Sequence, residues 1–593
     1  MSRTLVASTP GLVVVALAAC ASRGPRPALI TTAEQTGFTR TARYDEAIRL
    51  CHDFARGYPR VRCDQIGETG EHRPILALHI GRGDHPAIYF QGGIHAGEIE
   101  GKDAGFKFVR DLLDGKVAPG ALDAVDVVFV PVVNPDGHER FGPNNRPNQR
   151  GPVEMGFRTN DARLNINRDY VKADTPEMAA LLRAFNAYRP ALLIDLHTTD
   201  GAKFEHDISI NPAPIAPRGD HLEVAANELS AATVKRLGEL GHLPLAFYPS
   251  FVDNDDPRSG FAVGEAPPRF SQFYAAARNR LGILVETHSW RTYRERADST
   301  YHALQAVFEF ARDHAPAWVA AEAAADRADQ QIGGSDVPMI WDNGPGKHEI
   351  DFRGYAYQKS HSEISGADWI VYDETKPEIW RIPLFDELVA KLAIRAPRAG
   401  YVVDGGFAPM VAAVLARHGL RFIAIPAAID GQPRAALEVF RATKASFQPP
   451  FEGRTPVVLE GKWAPETRTL ERGAIFVPIA QPGARLIMHL FEPQLPDSLA
   501  QWGFFNAALE RKEYMESYVA EQVARDLIAA DPSLRAAFDA AIAADPELAK
   551  SPGRRLDWFY QRSPAWDERV NLLPVYRSDQ PLGAADKAPA PAR

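Results

Sequence analysis

Residues 87–98, Ala-Ile-Tyr-Phe-Gln-Gly-Gly-Ile-His-Ala-Gly-Glu, constrain this chain more than any other stretch. An apolar run over 87–90 is broken by Gly92-Gly93 and followed by a helix-like segment over 98–113. That pattern predicts a buried strand, a sharp turn and a helix. His95 and Glu98 fall on the turn at H-x-x-E spacing. From there an imidazole nitrogen and a carboxylate oxygen can reach one metal ion from the same side. By itself the spacing is common and favours the plainer reading, a turn histidine and a glutamate held by the helix dipole. A further ligand must come from elsewhere, and Asp195-Leu196-His197 closes a second apolar run over 191–194.

Other motifs shift the balance toward the metal. Asn134-Pro135-Asp136-Gly137 follows a predicted strand, Asn165-Ile166-Asn167-Arg168 comes later, and Leu284-Val285-Glu286-Thr287-His288 ends a further apolar run. In this order the set resembles the zinc carboxypeptidase family of the pancreatic carboxypeptidase A and B type, over roughly residues 40–310. The resemblance implies one zinc ion per chain held by His95, Glu98 and His197, with a position left open for water whose pKa falls towards ~7. It implies Glu286 as the general base and Asn167-Arg168 as the grip on a substrate's terminal carboxylate. A planar guanidinium suits that second task. Arg158 is the expected oxyanion donor, with Arg150 and Arg163 as competitors, and Tyr274 the expected mobile tyrosine. Plainer readings stand beside each: Glu286 paired with Arg280, and Arg168 bridging Asp169 or Asp195. Asn134 and Asp136 read as structural, Asp136 being a candidate brace for a ligand histidine, and Asp195 reads equally as an alternative brace or a solvated strand-end acid. His138, His206 and His288 are read as ordinary hydrogen-bonded histidines. The acidic run at 252–256 reads as a solvated loop or a weak calcium site.

At 593 residues the chain exceeds one ordinary domain, and its net charge of −9 argues against a nucleic-acid partner. Its apolar content of 45% is that of a globular protein with ample core. Leu17-Ala18-Ala19-Cys20 looks like a bacterial lipobox, the apolar run before it being too short and interrupted to span a membrane. An ordinary secretory signal is the alternative. Lipid on Cys20 implies anchorage in the cell envelope, on the periplasmic face of the outer membrane. Cys51 and Cys63 then remain as either a bridge, worth ~2–3 kcal/mol, or reduced buried thiols.

Strands are expected at 74–80, 87–90, 125–133, 191–196 and 283–286, and helices at 44–54, 98–113, 176–187, 222–240 and 300–325. This alternation predicts an α/β fold, a mixed, largely parallel sheet with helices on both faces, with ligands at the carboxyl ends of the strands. Gly81-Arg82-Gly83-Asp84 reads as a hairpin turn between the first two strands. The expected organisation is a signal peptide at 1–19, a tether at 20–35 and a catalytic domain at 36–328. A C-terminal α+β domain at 335–580 and a disordered tail at 581–593 follow. In the C-terminal part, 330–346 reads as a linker, 485–490 as a strand, and 517–530 and 534–543 as helices. The functions in view are removal of C-terminal residues from peptides, hydrolysis of murein peptides or N-acyl amino acids on the same fold, or an inactive peptidase fold that binds peptides.

Overall fold

The computed structural model describes residues 28–426 and 434–583. The lipobox and the leader before it lie outside these residues. The N-terminal half is built on an eight-stranded mixed sheet. Its strands are β1 (Val61–Glu68), β2 (Pro74–Ile80), β3 (Ala87–Gly92), β4 (Asp126–Val130), β5 (Leu192–Thr199), β6 (Ile208–Ala213), β7 (Pro244–Leu245) and β9 (Leu281–His288), with the two-residue β8 (Phe261–Ala262) outside it. The order is β1-β2-β4-β3-β5-β9-β6-β7, and the central neighbours β4, β3, β5 and β9 run parallel.

Both faces of that centre are buried, which is why its strands read as continuous apolar runs. Along β3, Ile88 and Phe90 face one core and Tyr89 the other. Helices Tyr44–Gly57, Glu100–Leu113, His221–Glu239 and Tyr293–Asp329 cover the first face. Helices Pro176–Tyr188 and Ser271–Ala277 cover the second. Local signals set the ends: Thr175 caps the helix that begins at Pro176, and Thr292 with Glu295 forms a capping box for the helix at Tyr293.

Several expectations need correction. The turn at 81–84 closes no hairpin, because β4 lies between β2 and β3. Residues 28–35 are not a loose tether: Thr32–Gln35 is a capped helical turn, Ala33 is fully buried and Glu34 pairs with Arg110 at 2.7 Å. Cys51 and Cys63 are bridged. The expected linker contains β10 (Asp336–Asn343). A long hairpin follows, β11 (His348–His361) and β12 (Asp368–Phe385), then β13 (Leu388–Arg395), which pairs with β10.

A six-stranded sheet comprises β14 (Gly400–Val403), β15 (Ile423–Ala424), β16 (Arg434–Phe447), β17 (Val457–Thr469), β18 (Ile475–Pro478) and β19 (Leu572–Ser578). The expected strand at 485–490 is a helix, Ala484–Phe491, whose short apolar sequence does not distinguish the two. The expected boundary between 328 and 335 is crossed by one hydrophobic cluster, which runs from Tyr89, Met178 and Tyr274 to Val411, Leu486 and Val575, while two other clusters lie wholly on one side or the other. Among the described residues, no helix is long and apolar enough to cross a membrane.

Candidate metal centre and its cleft

Gly93 takes a left-handed φ of 64°, and a Cβ at Gly92 would lie 3.0–3.2 Å from backbone atoms of Gly101 and Lys102. Glycine therefore lets the helix Glu100–Leu113 begin hard against the end of β3. His95 and Glu98 occupy this turn, closed by Glu98 N–H donating to the His95 carbonyl at 2.9 Å. His197 projects from β5, and Glu286 is its direct partner on β9.

One ligand atom from each of His95, Glu98 and His197 lies within 4.8 Å of the other two, and all three residues are buried. His95 Nδ1 is 3.0 Å from Glu98 Oε1, and His197 Nδ1 is 2.8 Å from Glu98 Oε2. The groups behind the opposite ring nitrogens favour one tautomer. Asn165 Oδ1 accepts from the Asn167 N–H, so His95 Nε2, 3.1 Å from that oxygen, carries its proton there. His197 Nε2 lies 3.0 Å from Asp195 Oδ2, at ion-pair distance but without hydrogen-bond geometry.

In neutral imidazoles both Nδ1 lone pairs thus face an anionic carboxylate. A proton or a metal cation must lie between to make that arrangement favourable. Burial holds the His95 pKa down to about 4, against the pull of Glu98. Burial opposes charge on His197 too, yet Asp195 and Glu98 lift its pKa well above the usual value. Burial disfavours the Glu98 carboxylate, but His95 and Arg146 outweigh it and hold its pKa well below the ordinary range. Two nitrogens and one oxygen, braced from behind by an amide oxygen and a carboxylate, fit zinc.

The centre opens on a cleft of about 850 Å³, whose lining includes Arg158, Asn167, Arg168, Tyr248 and Glu286. Glu286 Oε2 is buried with no hydrogen-bond partner among the described residues. Burial raises the Glu286 pKa to about 8, with Glu98, Asp195 and Asp200 adding to the effect and His197 opposing it. Its expected alternative partner Arg280 pairs instead with Asp326 at 3.1 Å.

Arg168 has no carboxylate within 4.0 Å among the described residues. Its guanidinium stacks 4.3 Å over Phe270 and donates to the Asn167 carbonyl. Asp169 is taken by Lys172 and Thr175, so the bridge weighed for Arg168 is absent. Arg158 Nη1 lies 3.6 Å from Glu98 Oε1, whereas Arg150 turns away to Glu374 at 2.6 Å. Arg146 is the nearer neighbour of Glu98, at 2.7 Å, and no motif in the sequence points to it.

Tyr274 is a correction. It is fully buried in the second core, its hydroxyl 3.0 Å from His418 Nδ1 and accepting from Arg278 at 2.9 Å. It packs against the Tyr170 and Phe185 rings, at 5.4 and 5.6 Å, away from the cleft. The tyrosine that does line the cleft is Tyr248, 42% exposed, its hydroxyl accepting from Thr199 at 3.2 Å. It lies in the irregular segment Ala246-Phe247-Tyr248-Pro249, where no periodicity points to it.

Asp136 braces no histidine either, since Thr69, the Glu71 N–H and Arg73 occupy its carboxylate. His138, His206 and His288 bond to backbone carbonyls of Ala42, Leu243 and Ala202. In the acidic run, Asp253 and Asp256 cap local turns.

Fold and donor set together define a mononuclear metal centre at the strand ends of an α/β sheet. Residues 47–204, which contain all three ligands, match the Peptidase_M14 family, zinc carboxypeptidase. The mouse carboxypeptidase A4 is 34% identical over 110 residues, which are 17% of this chain and 26% of that protein. The chain thus spans about a quarter of that relative's length.

Among solved structures, a metallo-carboxypeptidase from Pseudomonas aeruginosa is 16% identical, with a TM-score of 0.34, covering 46% of this chain and 69% of that one. A carboxypeptidase A from Helicoverpa armigera is 16% identical, also with a TM-score of 0.34, covering 49% and 75%.

Proposed function

We propose that this chain is a zinc-dependent carboxypeptidase that releases C-terminal residues from peptides outside the cytoplasm, anchored in the envelope through lipid on Cys20. The observation that carries the activity is the cleft itself. The metal donor set, a buried carboxylate with an unpartnered oxygen and two arginines line one cavity. The disulfide agrees with an oxidising compartment.

His95, Glu98 and His197 hold the zinc, which supplies Lewis-acid chemistry that polarises a carbonyl and acidifies water. Arg168, with no carboxylate partner among the described residues, and Asn167, whose buried Oδ1 has no hydrogen-bond partner among them, receive the peptide's free carboxylate end. Arg158 faces the charge that develops on the scissile carbonyl oxygen. Glu286 takes the proton of the attacking water and returns it to the departing amine. Its pKa, raised by burial, falls once a dication adds an opposite charge nearby.

Replacing Glu286 with Gln is expected to lower peptide turnover by about 10²–10⁴-fold while one zinc per chain is retained. Metal analysis beside amino-acid release checks both halves. Undiminished hydrolysis would dismiss the base.

A further inference from the structure

The hairpin β11–β12 lies outside the segment matched to the peptidase family, yet its base is built into the cleft. β12 pairs in parallel with β8 (Leu384 with Phe261, Phe385 with Ala262), and Val263 N–H donates to the Phe385 carbonyl at 2.8 Å. The Asn343 side chain binds the Val263 and Phe385 carbonyls. Gly260, at φ 81°, admits no side chain here, because a Cβ would come within 2.0 Å of the Pro383 carbonyl oxygen.

The same hairpin buries Phe352, Trp380, Ile382 and Leu384 against Phe204, Leu245 and Phe261, with Phe247 packed alongside. Trp380 is 2% exposed, lies 5.7 Å from the Phe352 ring and donates Nε1–H to the Tyr355 carbonyl. Gly354 leaves room for its indole. Further out, Glu374 is gripped by Arg150 at 2.6 Å and Lys203 at 2.7 Å, from two loops beside the centre. Leu384 and Asp386 themselves line the cleft, next to Tyr248 and Val263.

We infer that this hairpin is a positioning element for substrate. The Phe352–Phe261 ring contact at 4.8 Å and the β12–β8 pairing hold the wall formed by residues 246–266, and with it Tyr248, at the width that a peptide's terminal residues require. Trp380 fixes Phe352, and Glu374 pins the hairpin to the Arg150 and Lys203 loops. The inference rests on the proposed carboxypeptidase cleft and deepens it, because the wall is supplied by a part of the chain beyond the family match. A wall packed on a hairpin that is itself pinned by two ion pairs is ordered before substrate arrives. Loosening it therefore weakens binding more than it slows the chemical step.

The test uses the full-length zinc-loaded chain, with Trp380→Ala, Trp380→Phe and Glu374→Gln. Acylated dipeptides serve as substrates, and calorimetric titration of the same peptides into a Glu286→Gln background reads binding without turnover. Trp380→Ala is expected to raise KM and the peptide Kd about tenfold, with kcat changed far less, and Trp380→Phe to recover most of the loss. Glu374→Gln, at a partly exposed site that spares the core, is expected to raise both about two- to fivefold by the same logic.

Unchanged KM and Kd in Glu374→Gln and Trp380→Ala would overturn the inference. So would losses that only track the folded fraction. Should Trp380→Ala fail to fold, Glu374→Gln alone decides. Absence of hydrolysis by the unmodified protein would overturn the carboxypeptidase reading, and the binding comparison would still decide the hairpin's role.

Discussion

Asn165 and Asp195 determine which nitrogen each histidine turns to the metal, so they govern affinity without touching it. Asp195→Ala and Asn165→Ala are each expected to weaken zinc binding about 10–100-fold, read by competition with a chelator. Glu177 offers a prediction independent of the centre. Burial, with Asp136 and Asp161 nearby, lifts its pKa to about 7. An acid whose folded pKa lies above its unfolded value binds its proton more tightly when folded. Its contribution is therefore most favourable below the unfolded pKa and is lost as pH rises from about 4.5 to about 7.

Glu177→Gln should remove that slope and stabilise the protein at pH 8 by up to about 3 kcal/mol relative to pH 4.5, as read by denaturant unfolding at both values. At this scale the ligand set was legible because each member sits beside an apolar run that declares its strand. Tyr248 was not, because its place is fixed by a loop, and Arg146 was hidden among several arginines of one irregular stretch.

Among the elements, strands written as uninterrupted apolar runs announced themselves, while Ile208–Ala213 and Leu572–Ser578, buried throughout but broken by Ser, Asn, Pro and Arg, did not, nor did strands with one polar face. β1 reads Val-Arg-Cys-Asp-Gln-Ile-Gly-Glu and sits at the sheet edge, and β11–β12 alternates charged and aromatic residues with few apolar runs. Neither resembles the uninterrupted runs of β3 or β5. The turn at 81–84 misled for a different reason. Local turn chemistry says where a strand stops, whereas the partner of β2 is chosen by β4, some 45 residues later.

The bridge between Cys51 and Cys63 joins helix Tyr44–Gly57 to this edge strand across a separation of 12 residues. Replacing both cysteines with alanine is expected to lower unfolding stability by about 2–3 kcal/mol. Denaturant titration of the oxidised protein beside the double variant measures it, and equal midpoints would show the edge to be held by packing alone.

One of the cores among the described residues ignores the boundary suggested by the sequence. Helix Pro176–Tyr188 turns its apolar side toward helix Ala408–Arg417, and polar contacts cross the same seam. Arg417 donates to the Ala173 carbonyl, and Asn186 to that of Arg417. His418, buried, bonds the Val171 carbonyl and accepts from Tyr274. Composition marks a change of character near residue 330, but not that the two sides share their interior, because burial against a distant partner leaves no local signature.

Each large apolar side chain uncovered forfeits about 1.5–3 kcal/mol. Uncovering four such side chains along the seam would thus remove about 6–12 kcal/mol, comparable to the roughly 5–15 kcal/mol that holds a domain together. A fragment ending near residue 330 is therefore expected not to reach the native state, losing near-ultraviolet circular dichroism and stoichiometric zinc together. The intact chain is expected to unfold in a single calorimetric transition across that seam. A fragment that keeps its zinc and unfolds cooperatively on its own would show that the shared interior contributes far less than its burial implies.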